Sequence, residues 1–146
     1  MKKLLFSVLA IFGISFAFSC SKSDDEKITQ FIADKGWTAA KTDEGLYYVI
    51  DSSGVGTTYP TLSSTVKVKY KGYLLDGTVF DQSAAAGIEF GLAQVIEGWQ
   101  IGIPKFKKGG KGKLIIPASL GYGSRAVGSI PSNSVLVFEI ELFDFR

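Results

Sequence analysis

TVKVKYKGYLLDGTVF, residues 65–80, decides the fold. Val66, Val68 and Tyr70 alternate with Lys67, Lys69 and Lys71, the period of a strand with one buried face and one wet face. The run predicts a strand over 65–75. Asp76-Gly77 then supplies a tight turn, and Thr78-Val79-Phe80 begins the returning arm of a hairpin. The same grammar extends in both directions. Leu136, Phe138, Ile140 and Leu142 share one face of a long strand, with Glu139 and Glu141 turned outward between them. Residues 113–116 predict another strand, stopped by Pro117, and residues 46–50 a first strand between Gly45 and the turn cluster 51–54. One helix is expected inside this β-rich stretch, around residues 96–103. Pro104 closes it, and Gly98 and Gly102 weaken it. The prediction is an α+β domain in which an antiparallel sheet wraps one short helix.

Upstream, Ile28, Phe31 and Ile32 put three apolar groups on one face of a short N-terminal helix over 24–35, with Asp24 or Asp25 as its cap and Gly36 as its stop. That stripe is too short for a coiled coil, so packing on the domain is the expected role. Residues 4–18, LLFSVLAIFGISFAF, follow Met1-Lys2-Lys3 and stop at Ser19-Cys20. This run of 15 residues falls short of the roughly 20 apolar residues needed to cross a bilayer, and it predicts a signal peptide over 1–19. Ser19-Cys20 resembles a bacterial lipobox, whose cysteine becomes the lipidated N-terminus, although Ala17 stands where Leu is usual. Cys20 is therefore expected to carry a lipid. The expected location is the cell envelope, lipid-anchored to the outer membrane on its periplasmic or surface face. Residues 20–45 read as a lipid-attached polar tether and short helix, with SKSDDE as the solvated part, and 46–146 as the domain proper.

Composition narrows the chemistry. At 46% hydrophobic and 13% aromatic over 146 residues, the chain has the profile of one globular domain. Removing Lys2 and Lys3 from the 16 Lys+Arg leaves 14 against 14 Asp+Glu, so the chain from Cys20 onward is neutral. Nucleic acid is not an expected partner, because no basic field is present to compete for phosphates. With no His and a single Cys, Ser/His and Cys/His nucleophile pairs, the common zinc ligand sets and internal disulfides are all excluded. No metal and no cofactor is expected. KFKKGGKGK, residues 105–113, fails as a phosphate loop: no Ser or Thr follows a Gly-Lys pair, and no strand-to-helix context surrounds it. Asp24-Asp25 belongs to the tether and Glu139 and Glu141 face solvent, so no carboxylate pair is set for acid/base work. What remains is an aromatic-rich hydrophobic binding module.

Four strings in one order carry a resemblance: VKVKYKGYLLDGTVFDQS (66–83), VIEGWQIGIPKFKKGGKGKLIIP (95–117), GYG (121–123) and VLVFEIEL (135–142). Over about 90 residues the chain is similar to the FK506-binding-protein (FKBP) family of prolyl isomerases. The resemblance implies a half-barrel, a five- or six-stranded antiparallel sheet curled around one short helix. It implies peptidyl-prolyl cis-trans isomerase activity on proline-containing polypeptides. It places Tyr70, Phe80, Val95, Ile96, Trp99 and Phe138 on an apolar pocket, with Trp99 as the floor beneath the proline ring, Phe90 as an aromatic before the helix and Ile130 on the rim. Asp81 and Tyr122 are the implied polar pair. Tyr122 would donate to one substrate carbonyl and the Ile96 N–H grip another, while Asp81 orients Tyr122 or meets the rotating carbonyl. A macrolide is also an implied ligand, with no affinity attached, because SRAVGSI (124–130) is shorter than the corresponding loop of small members and Ser129 replaces a common aliphatic. The rival reading is a noncatalytic interaction module, such as part of a surface machine. The presence of Asp81, Trp99 and Tyr122 weighs against it.

Overall fold

The alternation is realised, in the residues 21–146 that the computed structural model describes, as seven strands with two α-helices and three short 3-10 turns. In chain order these are α1 (Asp24–Lys35), β1 (Ala40–Lys41), β2 (Tyr47–Ser52), β3 (Thr65–Leu74), β4 (Val79–Gln82), β5 (Ile88–Gly91), α2 (Glu97–Gly102), β6 (Lys111–Ile116) and β7 (Leu136–Phe145). The expectations of a signal peptide over 1–19 and a lipid on Cys20 lie outside the described residues.

The strands form one antiparallel sheet in the order β1-β2-β6-β7-β3-β4, with β5 paired to β3 beside β4. β4 and β5 behave as two halves of one edge: β5 pairs with residues 65–68 of β3, and β4 with residues 71–73. The sheet has seven strands rather than five or six because this edge is interrupted and the two-residue β1 adds itself outside β2. β2 runs two residues past the expected Ile50, through a register shift between Ile50 and Ser52.

Two apolar clusters lie on opposite faces of this sheet. On the concave face, Val66 and Val68 of β3, Leu114 and Ile116 of β6, and Leu136, Phe138, Ile140 and Leu142 of β7 close over α2. α2 sits unusually near β6. A Cβ on Gly98 would lie 2.5 Å from Ile116, and one on Gly102 would lie 2.6 Å from Leu114. The two glycines that weaken this helix as a helix are thus what lets it lie against the sheet.

The convex face was expected to be wet, and over Lys69, Lys71, Glu139 and Lys111 it is exposed. Toward one end, however, the outward row turns apolar, with Tyr47, Val49, Tyr73, Ile115 and Val137 all buried. α1 covers this patch through Ile28, which is fully buried, assisted by Phe31 and Ile32. Burying one such aliphatic side chain is worth about 1.5–3 kcal/mol. The helix is capped by Ser23, not by Asp24 or Asp25. Ser23 Oγ accepts the Glu26 N–H at 3.2 Å, and Glu26 Oε2 accepts the Ser23 N–H at 2.8 Å, a reciprocal box worth on the order of 1 kcal/mol. Because a smaller hydroxyl one residue earlier takes the cap, the two carboxylates are released to bind the domain. Asp25 accepts from the Tyr47 hydroxyl at 2.7 Å and pairs with Lys41. The acidic part of SKSDDE is therefore the docked first turn of α1, not a solvated tether.

Candidate functional site

On the concave face, residues of β3, β4, β5, β7 and α2 line a cavity of about 520 Å³. All ten residues expected there line it: Tyr70, Phe80, Asp81, Phe90, Val95, Ile96, Trp99, Tyr122, Ile130 and Phe138. Strand alternation explains most of the arrangement. Tyr70 of β3 and Phe138 of β7 are inward positions of neighbouring strands, Phe80 and Phe90 come from the interrupted edge, and Trp99 rises from α2 between them.

Trp99 is only 4% exposed and is held by rings standing edge-on to it. Its centroid lies 5.2 Å from Tyr70, 5.3 Å from Phe138 and 5.7 Å from Phe90, at interplanar angles of 85°, 85° and 87°. Phe80 meets Phe138 in the same way at 5.4 Å and 82°. Pairs of this geometry contribute about 0.5–1.5 kcal/mol each beyond area burial, and they fix the tilt of the floor. Gly72 makes room for the wall, since a Cβ there would meet the Phe80 ring at 2.6 Å and the Phe138 ring at 2.8 Å. The Trp99 indole N–H is buried and has no acceptor among the described residues. Such an orphan donor costs about 1–3 kcal/mol, which the surrounding rings must offset.

Polar groups stand at the mouth. The Tyr70 hydroxyl donates to Asp81 Oδ2 at 2.6 Å. Burial, and then this bond to the carboxylate, push the Tyr70 phenol well above the usual tyrosine range, so it remains a proton donor. The expectation that Asp81 orients Tyr122 is corrected here, because the carboxylate takes its hydrogen bond from Tyr70 on the neighbouring strand. The Ile96 N–H precedes α2 and donates to no backbone carbonyl among the described residues, while the Ile96 carbonyl accepts from the Trp99 and Gln100 N–H groups. Gln100 Nε2 holds the Val95 carbonyl at 2.8 Å, pinning the segment that presents Ile96.

Gln94, Val127, Gly128 and Ser129 also line the cavity. Of these only Ser129 could be picked out in the sequence. The others are exposed loop residues with no periodicity, brought to the rim by the Val127–Ile130 bridge and the turn before α2. A second cleft, about 540 Å³ on the convex face, is lined by Lys69, Lys71, Lys111, Lys113, Glu139 and Glu141. Ion pairs such as Lys111 with Glu141 at 3.0 Å already satisfy part of its lining. Among the described residues no group of His, Cys, Asp and Glu is placed to hold a metal ion, and no helix is long and apolar enough to cross a membrane.

A curled antiparallel sheet around one short helix, opening into an aromatic cup with a tyrosine–carboxylate pair at its mouth, defines an FKBP-like half-barrel. The FKBP-type peptidyl-prolyl cis-trans isomerase family profile matches residues 56–143, and the chain belongs to that family. It is 50% identical over 109 residues to the FKBP-type peptidyl-prolyl cis-trans isomerase FkpA of Buchnera aphidicola, covering 73% of this chain and 43% of that one. To FkpA of Escherichia coli it is 45% identical over 119 residues, covering 80% and 43%. The crystal structure of the Escherichia coli protein superposes with a TM-score of 0.76 at 42% identity, over 84% of this chain and 57% of that chain. A peptidyl-prolyl cis-trans isomerase structure from Pseudomonas syringae gives 0.72 at 31% identity, over 84% and 93%. The chain spans about half the length of the curated relatives it matches.

Proposed function

We propose that this chain is a peptidyl-prolyl cis-trans isomerase that accelerates rotation about Xaa-Pro bonds of exported envelope proteins and so assists their folding. The observation that carries the reading is the cup itself: an apolar floor at Trp99, ringed by aromatics, with Asp81 and Tyr122 among the few polar groups that line it. Rotation about an Xaa-Pro bond makes and breaks no covalent bond. The barrier of about 18–20 kcal/mol comes from lost amide resonance, while trans is preferred by only about 0.5–1 kcal/mol. The catalyst needs to bind the twisted amide better than either planar form. Seating the ring on Trp99 strips water from the polar planar amide, which removes part of the ground-state stabilisation. In this reading Tyr122 and the Ile96 N–H hold flanking carbonyls, and Asp81, kept in place by Tyr70, faces the carbonyl as it turns.

The N-terminal features belong to the same proposal. Cleavage after residue 19 and lipid on Cys20 would hold the domain at the outer membrane, close to newly exported polypeptides, with 46–146 as the isomerase domain. A macrolide is a second ligand class for this cup, its affinity set by the rim over 124–130. The test is the cis-to-trans rate of Xaa-Pro peptides with sub-stoichiometric full-length protein, wild type beside Asp81→Ala. Acceleration is expected, with a loss of about tenfold or more in kcat/KM for the variant and little change in peptide binding. Folded wild type that binds the peptides without accelerating them would instead make the chain a noncatalytic binding module.

A further inference from the structure

The first turn of α1 reaches the loop that carries Tyr122. Asp24 Oδ2 accepts the Ala118 N–H at 2.9 Å, across 94 residues of sequence. Ala118 opens a 3-10 turn, Ala118–Leu120, directly after Pro117, and is 7% exposed. A donor at the start of such a turn has no acceptor within it, and here a carboxylate from another element supplies one. The Ala118 carbonyl in turn accepts the N–H of Gly121 at 3.0 Å and of Gly123 at 2.8 Å, the residues on either side of Tyr122. The Gly123 carbonyl accepts from Asn133 at 2.8 Å, which closes the far end of the loop. One residue thus joins Asp24 on its amide side to both neighbours of Tyr122 on its carbonyl side.

The carboxylate is itself fixed. Lys27 Nζ holds Asp24 Oδ1 at 3.1 Å, leaving Oδ2 for Ala118. α1 is seated by buried Ile28 and by the bond from Tyr47 to Asp25, so Asp24 arrives on a docked element. An ionised acceptor makes the shorter and stronger class of hydrogen bond.

We propose that Asp24 is a positioning residue for the isomerase site, setting through Ala118 the placement of Tyr122 over the cup. The catalytic consequence rests on the isomerase reading above, and the geometric part can be measured without it. The experiment compares Asp24→Ala, Asp24→Asn, Lys27→Ala and Ala118→Pro in the full chain, by peptide isomerisation at varied substrate and by amide hydrogen exchange over 118–123. Asp24→Ala should lower kcat about five- to twentyfold with KM within about twofold, and speed exchange at Ala118 and Gly123. Asp24→Asn, which retains an oxygen acceptor, should recover most of the rate. Lys27→Ala loosens the carboxylate but keeps the acceptor, so it should cost kcat less than Asp24→Ala does, about twofold. Ala118→Pro removes the donor without touching α1, and the Pro117 ψ of 155° already suits a following proline; it should repeat the Asp24→Ala loss, and it decides the question if Asp24→Ala does not fold. Wild-type kcat in folded Asp24→Ala or in folded Ala118→Pro overturns the proposal. If wild type itself fails to accelerate the peptides, the isomerase reading falls. Exchange then judges the positioning alone: selective acceleration at Ala118 and Gly123 supports it, and unchanged exchange overturns it.

Discussion

On the concave face, Trp99, Tyr70, Phe80 and Phe138 surround an open cavity, whereas on the convex face Tyr47, Val49, Tyr73, Ile115 and Val137 lie sealed beneath α1. Both patches draw on β3 and β7. Tyr70 and Tyr73 are three residues apart on β3 and face opposite ways, as do Phe138 and Val137 on β7. Each tyrosine even donates to a carboxylate, Tyr70 to Asp81 at 2.6 Å and Tyr73 to Glu139 at 3.2 Å. What separates them is the cover. An apolar surface that the chain covers itself becomes stability, and one that it leaves open but rigid becomes a place for another molecule's apolar group.

Substitution on either side can break that contrast. The largest effect is expected from Trp99→Leu, which keeps an apolar floor but removes the ring plane: kcat/KM should fall by about tenfold or more. Retention of wild-type turnover in the folded variant would show that the floor is core and not site. Ile115→Ala is the mirror experiment. Because Ile115 is fully buried on the convex face, the variant should lose about 2–5 kcal/mol in denaturant unfolding. Its turnover, measured well below its unfolding midpoint, should stay within about twofold of wild type. A parallel collapse of activity would mean that the packing beneath α1 reaches the site, the route that Asp24 and Ala118 provide.

The smallest effect sharpens the comparison by pH. The Asp25 carboxyl is held below the usual range, first by the hydrogen bond from Lys41 and then by that from Tyr47. With its folded value depressed, the unfolded chain binds more protons in acid. The contribution is therefore complete above about pH 4 and is lost as pH falls through the folded value. The difference in unfolding midpoint between wild type and Asp25→Asn should be present at neutral pH and close in acid. A gap that persists unchanged would assign the docking of α1 to packing alone.

Much of the site was legible because its parts sit on strong local signals. Tyr70, Phe80 and Phe138 obey strand alternation around a plain hairpin, and Gly-Trp and Gly-Tyr-Gly stand out as strings. The partner of Asp81 was not legible. Tyr70 and Tyr122 both carry a phenol donor, and which one meets Asp81 is set by how β3, β4 and the Tyr122 loop come together, which no local pattern encodes. The cap of α1 is hidden in the sequence for a related reason. Ser23, Asp24 and Asp25 all cap well, and only the presence of Ala118, Tyr47 and Lys41 nearby assigns the carboxylates elsewhere.

Alternation, turn residues and composition determined the sheet, its inward face, the short helix and the exclusion of His-activated nucleophiles and histidine ligands, since these follow from period and residue chemistry along the chain. Only the tertiary structure decided which apolar row would be covered, how close α2 lies on Gly98 and Gly102, and that the acid-rich start of α1 reaches the Tyr122 loop. Those outcomes depend on contacts between residues far apart in sequence, which no local period encodes.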